Sequence, residues 1–273
     1  MNETILRLEP AHIPAAMRLN LLAGWNQTQA DWQRVLELEP EGCFGLFRDG
    51  LLVSTTTAVC YGRKLAWIGM VLTDPEYRNR GYARRLMEHA LAFLEARGVE
   101  WIKLDATAMG RPLYRKLGFE DEAPVERWAA VAPAMSPATT GDYVADAELD
   151  LRAFGADRSA LLARLARGEA AAIPGQGFAF ARPGSLAAYF GPCVARSAEA
   201  ARNLLQWCLG RHAGQPVFWD LLPANEAALA LAREFGFERR RELVRMVRRG
   251  AAARGSFDHD DSLIYAIAGF EYG

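Results

Sequence analysis

The sequence predicts an α/β protein made of two similar halves, and three observations support this fold class. Segments with strand and helix periodicity alternate along the chain, as expected when helices cover a sheet. An apolar segment at 65–72 leads through a turn rich in arginine and glycine into a helical pattern at 84–94. The motif Leu117-Gly118-Phe119-Glu120 recurs as Phe235-Gly236-Phe237-Glu238, which indicates a second copy of the same unit.

Periodicity and turn signals give the order of elements in the first half. Asp49-Gly50 is a pair typical of a two-residue hairpin, so the segments on either side are predicted to be paired strands. Thr28 and Asp31 have the spacing of a capping box, which places a helix start at Thr28. The predicted elements are strands at 4–8, 43–47, 52–59, 65–72, 101–104 and 128–132 and helices at 11–23, 28–38, 84–94 and 110–117.

The turn that precedes the helix at 84–94 has the features of an anion-binding site. The first N–H groups of a helix have no partner within the helix, and the helix dipole favours negative charge beside them. Gly81 lets the main chain approach a ligand without a Cβ atom in the way. Arg78, Arg80 and Arg84 add positive charge around it. A phosphate group is therefore expected to bind at this helix start.

The second half is predicted to have lost these features. The offset of the repeated motif, 236 − 118 = 118 residues, places Glu199 opposite Gly81 and Ala232 opposite Tyr114. A glutamate at the helix start would repel an anion by about 4 kcal/mol at ~4 Å and an effective dielectric constant of ~20. The stretch at 131–141 is rich in Pro, Ala, Ser and Thr, which is typical of a linker. The predicted domains are therefore residues 1–132 and 141–273.

Composition excludes several classes of protein. The chain has 32 basic and 33 acidic residues and a net charge of −1, so no general electrostatic attraction to nucleic acid or membranes is expected. Its 4 cysteines form no C-x-x-C pair, and its histidines lack metal-ligand spacing, so neither a disulfide framework nor a metal site is expected. No apolar run reaches the roughly 20 residues that span a bilayer. A cytoplasmic protein is expected.

Two signatures resemble those of the GCN5-related N-acetyltransferase (GNAT) superfamily. Arg78-Asn79-Arg80-Gly81-Tyr82-Ala83 resembles its Arg/Gln-x-x-Gly-x-Gly/Ala motif, and Pro112-Leu113-Tyr114-Arg115-Lys116-Leu117-Gly118-Phe119 resembles its second motif. Three further stretches are similar to the tandem-domain, YitH-like subgroup of these acetyltransferases. They are Gly24-Trp25-Asn26-Gln27, Leu104-Asp105-Ala106-Thr107 and Tyr265-Ala266-Ile267-Ala268-Gly269.

This resemblance implies the architecture and the co-substrate. It implies two tandem GNAT folds, each a mixed twisted sheet flanked by helices, with the second copy degenerate. It also implies acetyl-CoA as co-substrate, with the pyrophosphate at the arginine-rich loop and the pantetheine arm along the strand before it. The residues that it assigns to acetyl-CoA are Val71, Leu72, Thr73, Arg78, Asn79, Arg80, Gly81, Tyr82, Ala83 and Arg84.

The resemblance also implies catalytic positions. Tyr114 matches the tyrosine that protonates the leaving thiolate; the alternative is a core aromatic of an amphipathic helix. The base is open, because the strand at 67–72 carries no carboxylate. Asp105 and Asp74 are the nearest candidates, and Asp105 is the one that we predict to be catalytic. It could instead cap the helix near Gly110 or pair with a neighbouring lysine.

The acceptor is expected between the first two helices and the sheet, where Trp25, Asn26 and Gln27 lie. An aromatic ring with two amides suits a small polar or cationic molecule. The leading hypothesis is acetyl transfer from acetyl-CoA to a small-molecule amine. A non-catalytic acyl-CoA or metabolite sensor stays open because Thr107-x-x-Gly110 departs from the family's second motif, which the second half keeps as Asn225-x-x-Ala228. A peptide or protein acceptor is the third possibility.

Overall fold

A computed structural model describes residues 2–273. The chain divides into two compact units. The first contains the residues up to Asp121 together with Met246–Gly255 and Phe270–Gly273. The second contains Glu122–Arg245 and Ser256–Gly269. Each unit therefore includes residues from both halves of the sequence.

The first unit is a mixed sheet with helices. Its strands follow the order β1-β2-β3-β4-β5, with antiparallel pairing except between β4 and β5, which are parallel. Short 3₁₀ turns lie at Pro10–His12 and Pro75–Tyr77. The elements are β1 (Glu3–Arg7), α1 (Ile13–Ala23), α2 (Gln29–Leu38), β2 (Cys43–Arg48), β3 (Leu51–Tyr61), β4 (Leu65–Thr73), α3 (Tyr82–Ala96), β5 (Trp101–Ala106) and α4 (Arg111–Lys116).

Local chemistry explains where these elements begin and end. Asp49 and Gly50 have φ angles of 48° and 83°, the positive values that a tight hairpin between β2 and β3 requires. The Thr28 N–H donates to the Asp31 carboxylate over 2.8 Å at the start of α2, as the capping-box spacing predicts. Helix α3 buries Leu86, Met87, Ala90, Leu91 and Leu94, the stripe expected of a helix that covers a sheet.

The second unit repeats this architecture. Its strand order is β6-β10-β9-β8-β7, with β12 antiparallel to β9. β9 and β10 are parallel, as β4 and β5 are in the first unit. Phe190, Trp219 and Phe237 stack edge to face in its core, with ring centroids 5.5 and 5.3 Å apart. The elements are β6 (Glu120–Val131), α5 (Ala147–Phe154), α6 (Ser159–Leu165), β7 (Glu169–Ile173), β8 (Gly177–Arg182), β9 (Ala188–Ala195), α7 (Ala198–Arg211), β10 (Pro216–Leu221), α8 (Glu226–Glu234), β11 (Glu238–Arg249) and β12 (Ile264–Ala266).

The compact units differ from the predicted domains 1–132 and 141–273. The predicted last strand of the first half lies within β6, which pairs with β10 of the second unit so that Trp128 faces Trp219. Conversely, the end of β11 belongs to the first unit, where the Gly250 N–H donates to the Glu100 carbonyl oxygen over 2.8 Å. Periodicity identifies strands but not their partners, so the sequence could not show this exchange.

We expect a chain that ends at Pro133 to lose stability rather than fold as an independent catalytic domain. It would lack Met246–Gly255 and Phe270–Gly273, which belong to the first unit. Tyr272 alone is 0% exposed, and burying a side chain of this size contributes about 1.5–3 kcal/mol. Thermal unfolding followed by circular dichroism should show a lower midpoint than that of the full chain. An unchanged midpoint would contradict the assignment of these segments to the first unit.

Candidate active site

Two parallel strands of the first unit pair over only part of their length. β4 and β5 pair from Leu65 and Trp101 to Trp67 and Lys103, and there their pairing ends. Met70 follows shortly after with a φ of 48°, and the register between β3 and β4 shifts at this point. The far half of β4, which includes Val71, Leu72 and Thr73, therefore diverges from β5. An extended ligand can add to a strand edge of this kind.

The loop from Asp74 to Gly81 leads from β4 to the start of α3. Asn79 and Gly81 both have positive φ values, 61° and 80°. The first bond of the helix runs from the Arg85 N–H to the Gly81 carbonyl oxygen over 3.0 Å, so the N–H groups of the three residues between them have no helical acceptor. A Cβ atom on Gly81 would meet nothing within 4 Å. The helix start is therefore open to a ligand.

The charged side chains of this loop are held in different ways. Arg78 and Arg80 are both exposed. Arg78 donates to the Thr73 carbonyl oxygen at 3.4 Å, and Arg80 donates to that of Glu76 at 3.1 Å. Because these acceptors carry no net charge, the bonds do not neutralise the two guanidinium groups. Arg84 instead pairs with Glu88 over 2.8 Å.

The hydroxyl of the buried Tyr82 donates to Glu3 over 2.5 Å, so Tyr82 anchors the start of α3 through its side chain.

The corresponding helix start in the second unit is closed. Ser197 caps α7 by accepting a hydrogen bond from the Ala200 N–H at 3.2 Å. Only Arg196 and Ser197 separate β9 from α7, against eight residues from Asp74 to Gly81 in the first unit.

The helices start 198 − 82 = 116 residues apart, so the predicted match of Gly81 with Glu199 is wrong by two positions. Ser197 matches Gly81, and Glu199 lies within the first turn. A shortened loop and a cap therefore occupy the place of the open turn.

Tyr114 lies on α4 and is 8% exposed. Burial raises the pKa of its hydroxyl, which therefore keeps its proton at neutral pH. The Phe119 N–H bonds to the Tyr114 carbonyl oxygen over 3.1 Å, and the Phe237 N–H bonds to that of Ala232 over 2.9 Å. The offset of 118 therefore holds here, and the match of Tyr114 with Ala232 is confirmed.

The first unit has Thr107 where the second unit has Asn225, and the two side chains make the same kind of hydrogen bond. The Thr107 hydroxyl accepts a hydrogen bond from the Gly110 N–H at 3.1 Å. Asn225 accepts one from the Ala228 N–H at the same distance, 3.1 Å. Both side chains stabilise the turn before the helix. The difference at Thr107 therefore gives no reason to consider the first unit inactive.

The two candidate bases differ in their surroundings. Asp74 is buried, pairs with Arg18 over 2.6 Å and accepts a hydrogen bond from the Glu76 N–H at 3.0 Å, so it stabilises the loop. Asp105 is half-buried near the end of β5, beyond the last residue that pairs with β4. Since Thr107 makes the hydrogen bond at Gly110, capping this turn does not require Asp105. A direct role for Asp105 stays a prediction.

The three residues predicted at the acceptor site lie in the turn after α1. The Trp25 N–H bonds to the Asn20 carbonyl oxygen at 3.1 Å, and the Trp25 side chain is half-buried. Asn26 and Gln27 are buried. The Gln27 amide donates to the carboxylate of Glu271 over 2.8 Å. No sequence motif marks Glu271, which lies 244 residues further along the chain than Gln27.

Comparison with known proteins identifies the family. Residues 13–119 match the model of the acetyltransferase (GNAT) family, and residues 147–266 match that of an acetyltransferase (GNAT) domain. Together the two matches cover most of the chain. The protein belongs to the GNAT acetyltransferases. It is an enzyme of this family in tandem form, and the family uses acetyl-CoA as its co-substrate.

One curated relative and two solved structures are similar to this GNAT protein over most of its length. The uncharacterized N-acetyltransferase YitH of Bacillus subtilis is 29% identical over 228 residues, which cover 74% of this chain and 77% of YitH. A putative acetyltransferase from Pyrococcus horikoshii has a similar fold, with a TM-score of 0.87 and 23% identity over 99% of this chain and 96% of its own. A tandem GNAT protein from the clavulanic acid biosynthesis pathway has a TM-score of 0.63 and 15% identity over 93% of this chain and 100% of its own.

Within residues 2–273, no three His, Cys, Asp or Glu side chains are grouped as metal ligands would be. Within the same range, no helix is long and apolar enough to cross a membrane.

Proposed function

We propose that the first unit moves an acetyl group from acetyl-CoA directly to the amine of a small molecule. The observation that carries this proposal is the open start of α3 beside the separated strands β4 and β5. The second unit has the same fold, but its loop is short and its helix is capped. This contrast supports binding of the co-substrate to the first unit alone.

Acetyl-CoA would be held by main-chain groups and by charge. The pyrophosphate would lie at the N–H groups that precede the first helical bond of α3, with Arg78 and Arg80 beside it. The pantetheine arm would pair with Val71, Leu72 and Thr73, where β4 has left β5. Asn79 and Gly81 would supply the left-handed turn that directs these N–H groups towards the anion.

The chemistry would need a proton donor and a proton acceptor. We assign the donor to Tyr114, because burial keeps its hydroxyl protonated and able to donate to the leaving thiolate. Asp105 is the base that the sequence predicts, at the diverging end of β5. Main-chain N–H groups of β4 would stabilise the oxyanion that forms at the thioester carbon.

The acceptor would bind beside Trp25, Asn26 and Gln27. A half-buried indole ring and two buried amides offer one apolar surface and a few fixed polar groups, the mixture typical of small-molecule sites.

The four cysteines are free thiols, three of them buried, which favours a reducing compartment such as the cytoplasm.

The test is acetyl-CoA consumption across a library of small amines and amine-bearing peptides, with products identified by mass spectrometry. We expect acetylation of at least one small amine, with one CoA released per acetyl group transferred. The variant Gly81→Glu serves as the matched control, because it should lack the bound co-substrate. Acetylation of peptides alone would contradict a small-molecule acceptor. Acetyl-CoA binding without transfer to any amine would indicate a sensor.

A further inference from the structure

The segment Phe270–Gly273 is fixed against the first unit by hydrogen bonds and burial. The Trp67 indole N–H donates to the Phe270 carbonyl oxygen over 3.1 Å, and the Tyr61 hydroxyl donates to that of Tyr272 over 2.7 Å. The Tyr272 hydroxyl donates to the carbonyl oxygen of Asp31 on α2 at 3.1 Å. This segment therefore connects the face of the sheet at β3 and β4 with α2.

Gly69 allows the segment to lie directly on β4. A Cβ atom at Gly69 would be 2.7 Å from the Cα atom of Glu271, closer than packed atoms can be. Gly69 precedes Met70, where the backbone of β4 takes its positive φ. Two residues along a strand span about 6.6 Å. Glu271 therefore lies against β4 two residues before Val71, the first of the β4 residues proposed to pair with the pantetheine arm.

The Glu271 side chain extends from β4 towards the predicted acceptor site. Its carboxylate is 2.8 Å from the Gln27 amide, and the residue is 2% exposed. Glutamate is rarely so deeply buried unless it is paired or has a function. In such surroundings a carboxylate attracts a cation more strongly than it would in water.

We propose, resting on the acetyl transfer proposed above, that Glu271 accepts the proton of the acceptor amine. The ammonium group of the acceptor would lie against the Glu271 carboxylate, which Gln27 holds in place, and lose one proton to it. The neutral nitrogen then attacks the thioester carbon, so the C–N bond forms as the C–S bond breaks. Tyr114 gives its proton to the sulfur, and the second proton that the nitrogen loses passes through solvent to the Tyr114 oxygen and restores its hydroxyl. Glu271 releases its proton to solvent when the amide leaves.

This assignment gives the first unit the carboxylate that its own central strand lacks. Asp105 is the alternative, and it lies on β5. Glu271 instead contacts β4 and a residue predicted to bind the acceptor. The two carboxylates can therefore be separated by substitution.

The test compares wild type, Glu271→Gln, Glu271→Asp and Asp105→Asn in the full chain, using the best acceptor of the wild type. Glu271→Gln keeps the size of the side chain, so we expect the acetyl-CoA Kd to change less than about threefold. Its kcat should fall by roughly 10²–10⁴, the range for a general base. The fall of kcat towards acid pH should disappear in Glu271→Gln and persist in Glu271→Asp at an intermediate rate. Glu39→Gln, another buried carboxylate of this unit, controls for a loss of stability alone.

Each outcome decides between the proposals. A Glu271→Gln enzyme with wild-type kcat and an unchanged pH profile would overturn the role of Glu271. If the fall of kcat towards acid pH disappears in Asp105→Asn and persists in Glu271→Gln, the base is Asp105. If the wild type acetylates only peptides, the small-molecule proposal fails while the Glu271 comparison can still be made on a peptide. Absence of any wild-type turnover would overturn both.

Discussion

Replacing Gly81 with glutamate should abolish acetyl-CoA binding at micromolar concentrations. Gly81 has a φ of 80°, and its N-terminal position on α3 places a new carboxylate beside the proposed pyrophosphate. One like-charge pair at ~4 Å costs about 4 kcal/mol at an effective dielectric constant of ~20. Because salt screens an exposed loop, we expect the Kd to rise by about 10²–10³-fold. Titration calorimetry measures this directly.

Two control variants isolate the cause of that loss. Gly98→Glu introduces the same residue at a position of similar backbone, with a φ of 66° and nothing within 4 Å of a new Cβ atom. It should show the same backbone strain, roughly 1–2 kcal/mol, without weakening binding. Glu199→Ala in the second unit should leave the Kd unchanged. Equal losses in Gly81→Glu and Gly98→Glu would mean that strain, rather than repulsion at α3, lowers affinity.

The second large effect is expected for Tyr114→Phe. This change removes one hydroxyl and keeps the ring that packs edge to face on Phe119, with centroids 6.1 Å apart. The proton donor for the thiolate is lost, so kcat should fall by roughly 10²–10⁴. Because burial raises the pKa of this hydroxyl, Tyr114 itself should cause no alkaline fall of kcat between pH 7 and 10.

Steady-state release of CoA thiol gives kcat for Tyr114→Phe, and calorimetry gives the Kd for acetyl-CoA. We expect the Kd to change less than about threefold, because the ring stays in place. A variant with full turnover would show that Tyr114 is a core residue and that water protonates the thiolate.

Signals within a few residues were enough to predict the elements around the site. The capping box at Thr28, the hairpin at Asp49-Gly50 and the turn at Gly81 before α3 each depend on contacts between close neighbours. Gly118 and Gly236 each follow a helix and have positive φ angles, 84° and 74°. Glycine is favoured at such positions, so both copies have it there, and this shared glycine made the repeat recognisable in the sequence.

Features that depend on distant segments were not predictable. The exchange that places Trp128 against Trp219 is a choice of strand partner, which periodicity does not encode. The ungapped offset failed at Ser197, because 236 − 198 = 38 residues separate the start of α7 from Gly236, whereas 118 − 82 = 36 residues separate the start of α3 from Gly118. Glu271 reaches Gln27 only through folding, so no local motif could place it at the site.

We expect the first unit to bind acetyl-CoA and the second unit to share only its fold. The stoichiometry of acetyl-CoA binding to the full chain, measured by titration calorimetry, tests this claim most directly. The open start of α3 and the Ser197 cap on α7 predict one site per chain, which Gly81→Glu should remove. Two equivalent sites per chain, or one site that survives in Gly81→Glu, would contradict the account.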